Sequence, residues 1–247
     1  MTKHLVGHRM QIKTQEYKFI EWSERVSPDT YDVAYIIERL KSSGTSAPKV
    51  ADIGGGIGSV ALAIVNSIDG ATVDVYDNSE LAKRKFLMSD RTRLLFGDFL
   101  LAEISKRYDA VIFRTVLHHF VGSTKSETYN RQCLAIEKAR SILTDTGLIY
   151  VTENFYEPIV SEDISGELIY QLTRLRGAAM LFRRLGANTA GEGVRFRSFD
   201  SWARIFSASG LRPRDDILRQ AWNMPMWQKI PFFVRSRYQA LLTLEKI

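Results

Sequence analysis

Two histidines, a set of carboxylates and a run of glycines carry the chemistry that this sequence could support. Asp52 is followed by Gly54-Gly55-Gly56-Ile57-Gly58 and then by the apolar run Ser59 to Val65. Glycines allow a positive φ and let a ligand approach the backbone with no Cβ in the way. A helix starting at Ser59 would add unpaired N–H groups and a partial positive charge at its N-terminus. Together these make a cradle for a small, partly anionic cofactor. Asp77 follows about twenty residues beyond the loop, the spacing of a carboxylate that takes both hydroxyls of a ribose. His118 and His119 are adjacent, and imidazole is the side chain best matched to proton removal near neutral pH.

The elements that must position these groups follow from hydropathy and punctuation. Residues from about Glu16 to Ser43 read as helical, broken at Ser27-Pro28-Asp29. Strands are expected at Lys49–Ile53, Ala71–Tyr76, Arg93–Phe96, Asp109–Phe113 and Leu148–Thr152. Between them, helices are expected from Ser59 to about Ser67, from Ser79 to about Met88 and around Glu127 to Leu143. After the fifth strand the alternation stops. Phe155 to Arg197 reads as an inserted helical lid, Ser198 opens a further helix, and Arg214–Ala221 and Tyr238–Glu245 read as two closing strands. An aromatic loop from Trp222 to Phe233 joins them.

The expected fold is therefore α/β: a doubly wound, seven-stranded, mostly parallel sheet with an N-terminal helical cap and a helical lid after strand five. One domain spans residues 1–247, divided into cap (1–45), cofactor-binding core (46–154), lid (155–197) and C-terminal helix and hairpin (198–247). In such a sheet Asp77, Asp98, Thr115 and Glu153 sit just beyond strand ends, on the same edge as the glycine loop.

Composition bounds the rest. An apolar share of 45% and a charged share of 25% over 247 residues suit an ordinary globular core. The lone cysteine, Cys133, excludes an intrachain disulfide and a cysteine-cluster metal site. No His/Asp/Glu cluster has ligand spacing, so no metal is expected. No signal-peptide core and no long apolar run occur, which makes a cytoplasmic protein the default expectation. From Arg174 to Arg219 ten arginines and no lysine face four acidic residues, a balance that equals the net charge of the whole chain, +6. Arginine without lysine favours bidentate recognition of carboxylate or phosphate.

A nicotinamide-binding domain would share the loop and Asp77, and Gly56-x-Gly58-x-x-Ala61 fits its looser glycine pattern. Asp52 before the loop and Gly97-Asp98-Phe99 after the third strand stand against it. With Val50 to Gly58, Tyr76-Asp77-Asn78, Leu95 to Phe99, Tyr108 to Ile112, Val116 to Phe120 and Leu143 to Ile149 in this order, the chain resembles a class I S-adenosylmethionine-dependent methyltransferase over about residues 48–153.

That resemblance implies S-adenosylmethionine as cofactor, with Asp52 at the head of its loop. Gly54 and Gly56 would lie under its methionine and ribose, and Asp77, followed by Asn78, would take the ribose hydroxyls. Asp98 would meet the adenine amino group and Phe99 an adenine face, while Arg114 and Thr115 would line the sulfonium end. Leu117-His118-His119-Phe120 is similar to the Leu-His-Asp-Trp segment of small-molecule O-methyltransferases, in which the first histidine is the base. This makes His118 the candidate base, with Glu153 the second candidate. Arg174, Arg195 and Arg197, in or beside the lid, point to a small anionic acceptor reacting at oxygen, nitrogen or an acidic carbon. Two other classes remain open: an RNA-modifying methyltransferase whose arginines track phosphates, and a cofactor-binding partner protein without catalysis. No membrane partner is expected, and a homodimer is compatible with the sequence.

Overall fold

A computed structural model describes residues 30–174, 193–214, 217–222 and 226–247. The expected helix over residues 16–29, with Tyr17 and Trp22, lies outside the described residues, as do Arg176, Arg183 and Arg184 of the lid. The described residues group into two compact units that divide between Glu103 and Ile104.

In the first unit, helix α1 (Tyr31–Ser42) buries the stripe Val33, Ile36, Ile37 and Leu40 and packs on α2 (Ser59–Ser67). Strand β1 (Lys49–Ile53) pairs in parallel with β2 (Thr72–Asp77), and β2 with β3 (Thr92–Phe96). Val50 to Ile53 and Val73 to Tyr76 are buried throughout, the continuous pattern of parallel strands covered on both faces. Helix α3 (Glu80–Lys85) starts on Ser79, whose hydroxyl accepts the Ala82 N–H at 3.1 Å. It ends three residues before the expected Met88. The cause is local: the Leu87 N–H is taken by the Ile57 carbonyl of the glycine turn at 2.8 Å, which draws the chain out of the helix.

In the second unit, β4 (Tyr108–Arg114) lies parallel to β5 (Leu143–Pro158). A one-turn 3-10 helix at Leu117–His119 and then α4 (Lys125–Ser141) connect them. Strand β5 has sixteen residues, far longer than the expected Leu148–Thr152, because β8 (Val234–Lys246) pairs antiparallel with it from Ile149 to Pro158. Residues 155–158 are thus strand where the lid is expected to begin. Beyond them come α5 (Glu162–Arg174) and α6 (Phe199–Ala208), the latter capped by Ser198. Strands β6 (Leu211–Pro213) and β7 (Leu218–Trp222) both pair with β8. The loop expected between the closing strands holds a short helix, α7 (Met226–Phe232). The class is the expected α/β one, with eight strands in place of seven.

Candidate active site

The first unit contributes the glycine turn. Gly54, Gly56 and Gly58 all have positive φ, at 70°, 58° and 84°. Gly55 is required for a different reason: a Cβ there would strike the Asp52 carboxylate and come within 2.9 Å of Val75 Cγ1. Asp52 itself is fully buried beneath the turn. Asp77, at the end of β2, reaches back to the loop. Its Oδ2 accepts the Gly56 N–H at 2.9 Å and its Oδ1 accepts the Ser79 N–H at 2.8 Å. A carboxylate has about four lone-pair positions. Two backbone donors therefore fix the half-buried group and leave acceptor capacity on both oxygens, the pair of acceptors to which the two hydroxyls of a vicinal diol can donate. Asp98 caps its own turn, its Oδ1 accepting the Leu100 N–H at 2.9 Å. Asn78 is exposed. Phe99, expected against adenine, is 4% exposed and packs edge-on to Tyr76 with centroids 5.6 Å apart, so its ring belongs to the core.

The second unit contributes a buried pair. His118 Nδ1 lies 2.9 Å and 2.8 Å from the two oxygens of Glu153, and both side chains are buried. Glu153 is held in turn by the Leu117 N–H on Oε1 at 3.0 Å and the Asn154 N–H on Oε2 at 3.2 Å. A carboxylate only accepts, so the proton on neutral His118 is assigned to Nδ1, which leaves Nε2 with the lone pair of a base. Glu153 reaches this place as part of the strand: Thr152 and Asn154 flank it in the β5–β8 ladder, opposite Leu241 and Gln239. Thr115, just before the histidine turn, has φ 52°. For a β-branched residue this is an outlier costing roughly 1–3 kcal/mol, of the kind that gathers at functional sites. The Thr115 N–H donates to the Thr152 carbonyl at 2.7 Å, and its hydroxyl to that of Arg114 at 2.8 Å.

Rings stack on His118. His118 lies 4.5 Å from Phe196 and 4.4 Å from His119, centroid to centroid. Phe196 stacks on Tyr156 at 4.7 Å, and the Arg237 guanidinium covers Tyr156 at 5.3 Å. His119 has an exposed surface but a dense protein surround. That surround, and secondly His118, lower its pKa below the ordinary 6.5, so it is neutral at neutral pH.

The arginines are placed differently from the expectation of an anion-reading lid. Arg195 is buried and bonds Glu167 Oε2 at 2.9 Å. Arg197 is buried too, with its Nε donating to Gln132 Oε1 at 2.6 Å and a terminal N–H to Ser201 Oγ at 3.3 Å. Arg212 and Arg214 both pair with Glu245, at 2.8 Å and 2.9 Å. Arg174 is exposed, its guanidinium over the Tyr170 ring at 5.0 Å. Among the described residues, Arg195 and Arg197 are thus committed to partners within the protein, while Arg212 and Arg214 make surface ion pairs. Among the described residues no group of three or more His, Cys, Asp or Glu could hold a metal, and no helix is long and apolar enough to cross a membrane.

Sequence reasoning named His118 and Glu153 but not their contact, and it missed Phe196, Tyr156 and Gln132. The signal for Phe196 was present: Val194-Arg195-Phe196-Arg197 alternates apolar and charged residues, a strand-like pattern inside what read as lid.

A family model described as an O-methyltransferase domain matches residues 31–180. In fold the chain is similar to the mitomycin 7-O-methyltransferase MmcR, with TM-score 0.53 and 18% identity over 85% of this chain and 53% of that one. It is also similar to NcsB1, an O-methyltransferase from neocarzinostatin biosynthesis solved with S-adenosylmethionine and 2-hydroxy-5-methyl naphthoic acid (TM-score 0.50, 15% identity, 87% of this chain and 56% of that one). A third is the magnesium protoporphyrin IX methyltransferase ChlM from Synechocystis PCC 6803 with bound SAH (TM-score 0.52, 16% identity, 87% and 82%). The chain spans about half the length of the first of these, 53%. No curated protein matches it in sequence.

Proposed function

The chain belongs to the O-methyltransferase domain family, and from that premise we propose that it methylates a hydroxyl oxygen of a small metabolite or natural product, with His118 as general base. Bound S-adenosylmethionine supplies a methyl group on a sulfonium, open to in-line displacement by the acceptor oxygen. The residues present suit that cofactor: Asp77, pinned by Gly56 and Ser79, offers two oxygens to the ribose hydroxyls, and the positive-φ glycines keep side chains off the loop. Gly54, Gly56, Asp77 and Asp98 are its holders, with Asp52 buried beneath them and Asn78 beside Asp77. Arg114 and the strained Thr115 are assigned to its methyl-donating end.

The observation that carries the reading is the His118–Glu153 contact. Glu153 sets the tautomer, Nε2 takes the acceptor's proton, and the carboxylate steadies the imidazolium that forms. The acceptor oxygen is thereby an anion when it meets the methyl group. Glu153 acts through His118 and is a positioning residue. Of the three arginines assigned to an anionic acceptor, Arg174 keeps that role, since Arg195 and Arg197 are spent on interior partners.

A methyl-transfer screen with labelled cofactor across metabolite extracts tests this. Hydroxylated acceptors should be labelled, and the same compounds with that hydroxyl blocked as an ether should not. Label on blocked compounds, or on amines alone, would retire the oxygen assignment.

A further inference from the structure

Buried in α4 is a side chain that no step above uses. Gln132 lies on the inward stripe of that helix with Thr128, Ala135, Ile136 and Ala139, and it is fully buried. A primary amide in such a stripe must satisfy its polar atoms inside the protein or carry an unsatisfied group. Gln132 spends its amide nitrogen on two segments of backbone that meet at His118, and its oxygen on the side chain of Arg197. Its Nε2 donates to the Leu117 carbonyl at 3.2 Å and to the Arg195 carbonyl at 3.4 Å, and its Oε1 accepts from Arg197 Nε at 2.6 Å.

Those three partners are not scattered. Leu117 begins the turn that carries His118, and its own N–H holds Glu153. Arg195 and Arg197 flank Phe196, the ring stacked on His118 at 4.5 Å. The Arg195 N–H closes the loop by donating to the His118 carbonyl at 3.0 Å. One amide therefore grips both the turn that presents the imidazole and the strand-like segment that covers it.

We propose that Gln132 is a positioning residue for the His118–Glu153 pair, clamping residues 195–197 onto the histidine turn so that Phe196 fixes the plane of the imidazole. It rests on the reading of His118 as the base, and it accounts for why two buried arginines sit at this point of the chain. Arg197 anchors the amide oxygen, which turns the amide nitrogen toward the two carbonyls. Arg195, tied outward to Glu167 at 2.9 Å, leaves its backbone to the clamp.

Two substitutions separate the clamp from plain packing. Gln132→Met keeps the volume and removes all three hydrogen bonds. Gln132→Glu keeps, and charges, the acceptor for Arg197 but removes both donations. The expected result for Gln132→Glu is a kcat lowered ~10- to 100-fold, the scale of a small misplacement of a reacting group, with KM for the cofactor unchanged. In the same variant the His118 ring-proton resonances, followed by NMR with labelled histidine, should move, because the Phe196 ring no longer holds its stacked place on the imidazole. Gln132→Met should show the same losses with a lower Tm. A folded Gln132→Glu protein with wild-type kcat and unchanged His118 ring resonances would overturn the proposal. If His118→Ala turned over at the wild-type rate, the base assignment would fail, and the His118 ring resonances in Gln132→Glu would still decide the clamp.

Discussion

At the scale of single residues, two adjacent histidines have opposite situations. His118 is enclosed, with Nδ1 committed to Glu153, whereas His119 keeps an exposed surface and stays neutral because the surrounding protein and His118 disfavour its charge. The second fact has a consequence for stability. A histidine whose folded pKa lies below the unfolded 6.5 binds fewer protons folded than unfolded, so stability falls as pH drops below 6.5. His119→Phe removes that penalty. Thermal unfolding of the two proteins should show the variant gaining on wild type as pH is lowered from 7 toward 5, and parallel pH curves would refute the lowered pKa. Glu167 acts in the same direction at lower pH: hydrogen bonding from Gln171, and after it Arg195, lowers its pKa, so its share of stability is present above the unfolded 4.5 and is lost as pH falls below it.

At the scale of elements, boundaries show what sequence carries and what it omits. Strand β1 and helix α2 were legible to the residue, because an unbroken apolar run and a glycine turn leave few alternatives. Helix α4 begins two residues before the expected Glu127, and the signal for it was in the sequence. Thr124 and Glu127 form a capping box: the Thr124 hydroxyl accepts the Glu127 N–H at 3.1 Å, and the Glu127 carboxylate accepts the Ser123 N–H at 2.8 Å. Thr124→Ala should cost about 1 kcal/mol in chemical denaturation, with the slope unchanged. No change would mean that the interior face of α4 alone holds that helix end. Strand β5 was not legible in full. Asn154 and Glu157 are poor strand formers, and they extend it only because β8, some eighty residues on, pairs with them.

At the scale of the whole molecule, the glycine turn with Asp77 and the histidine turn were both visible as separate motifs, since each depends on residue type and local spacing, whereas the contact of His118 with Glu153 was not. What the sequence hid is whatever depends on distant partners: Phe196 on His118, Gln132 bridging residues 117 and 195, and the two buried arginines, Arg195 and Arg197, held by Glu167 and Gln132. A charge count reads those arginines as a surface; folding makes them interior ties. On the proposed reading, Asp77 with the glycine turn serves cofactor holding and His118 serves proton removal, two tasks that can be measured apart. The most direct test compares cofactor binding by calorimetry with the single-turnover rate of methyl transfer in wild type and His118→Ala. The expected result is unchanged cofactor affinity with a rate lowered ~10²- to 10⁴-fold at neutral pH, the span of a lost general base. Equal single-turnover rates, with binding intact, would contradict His118 as the base.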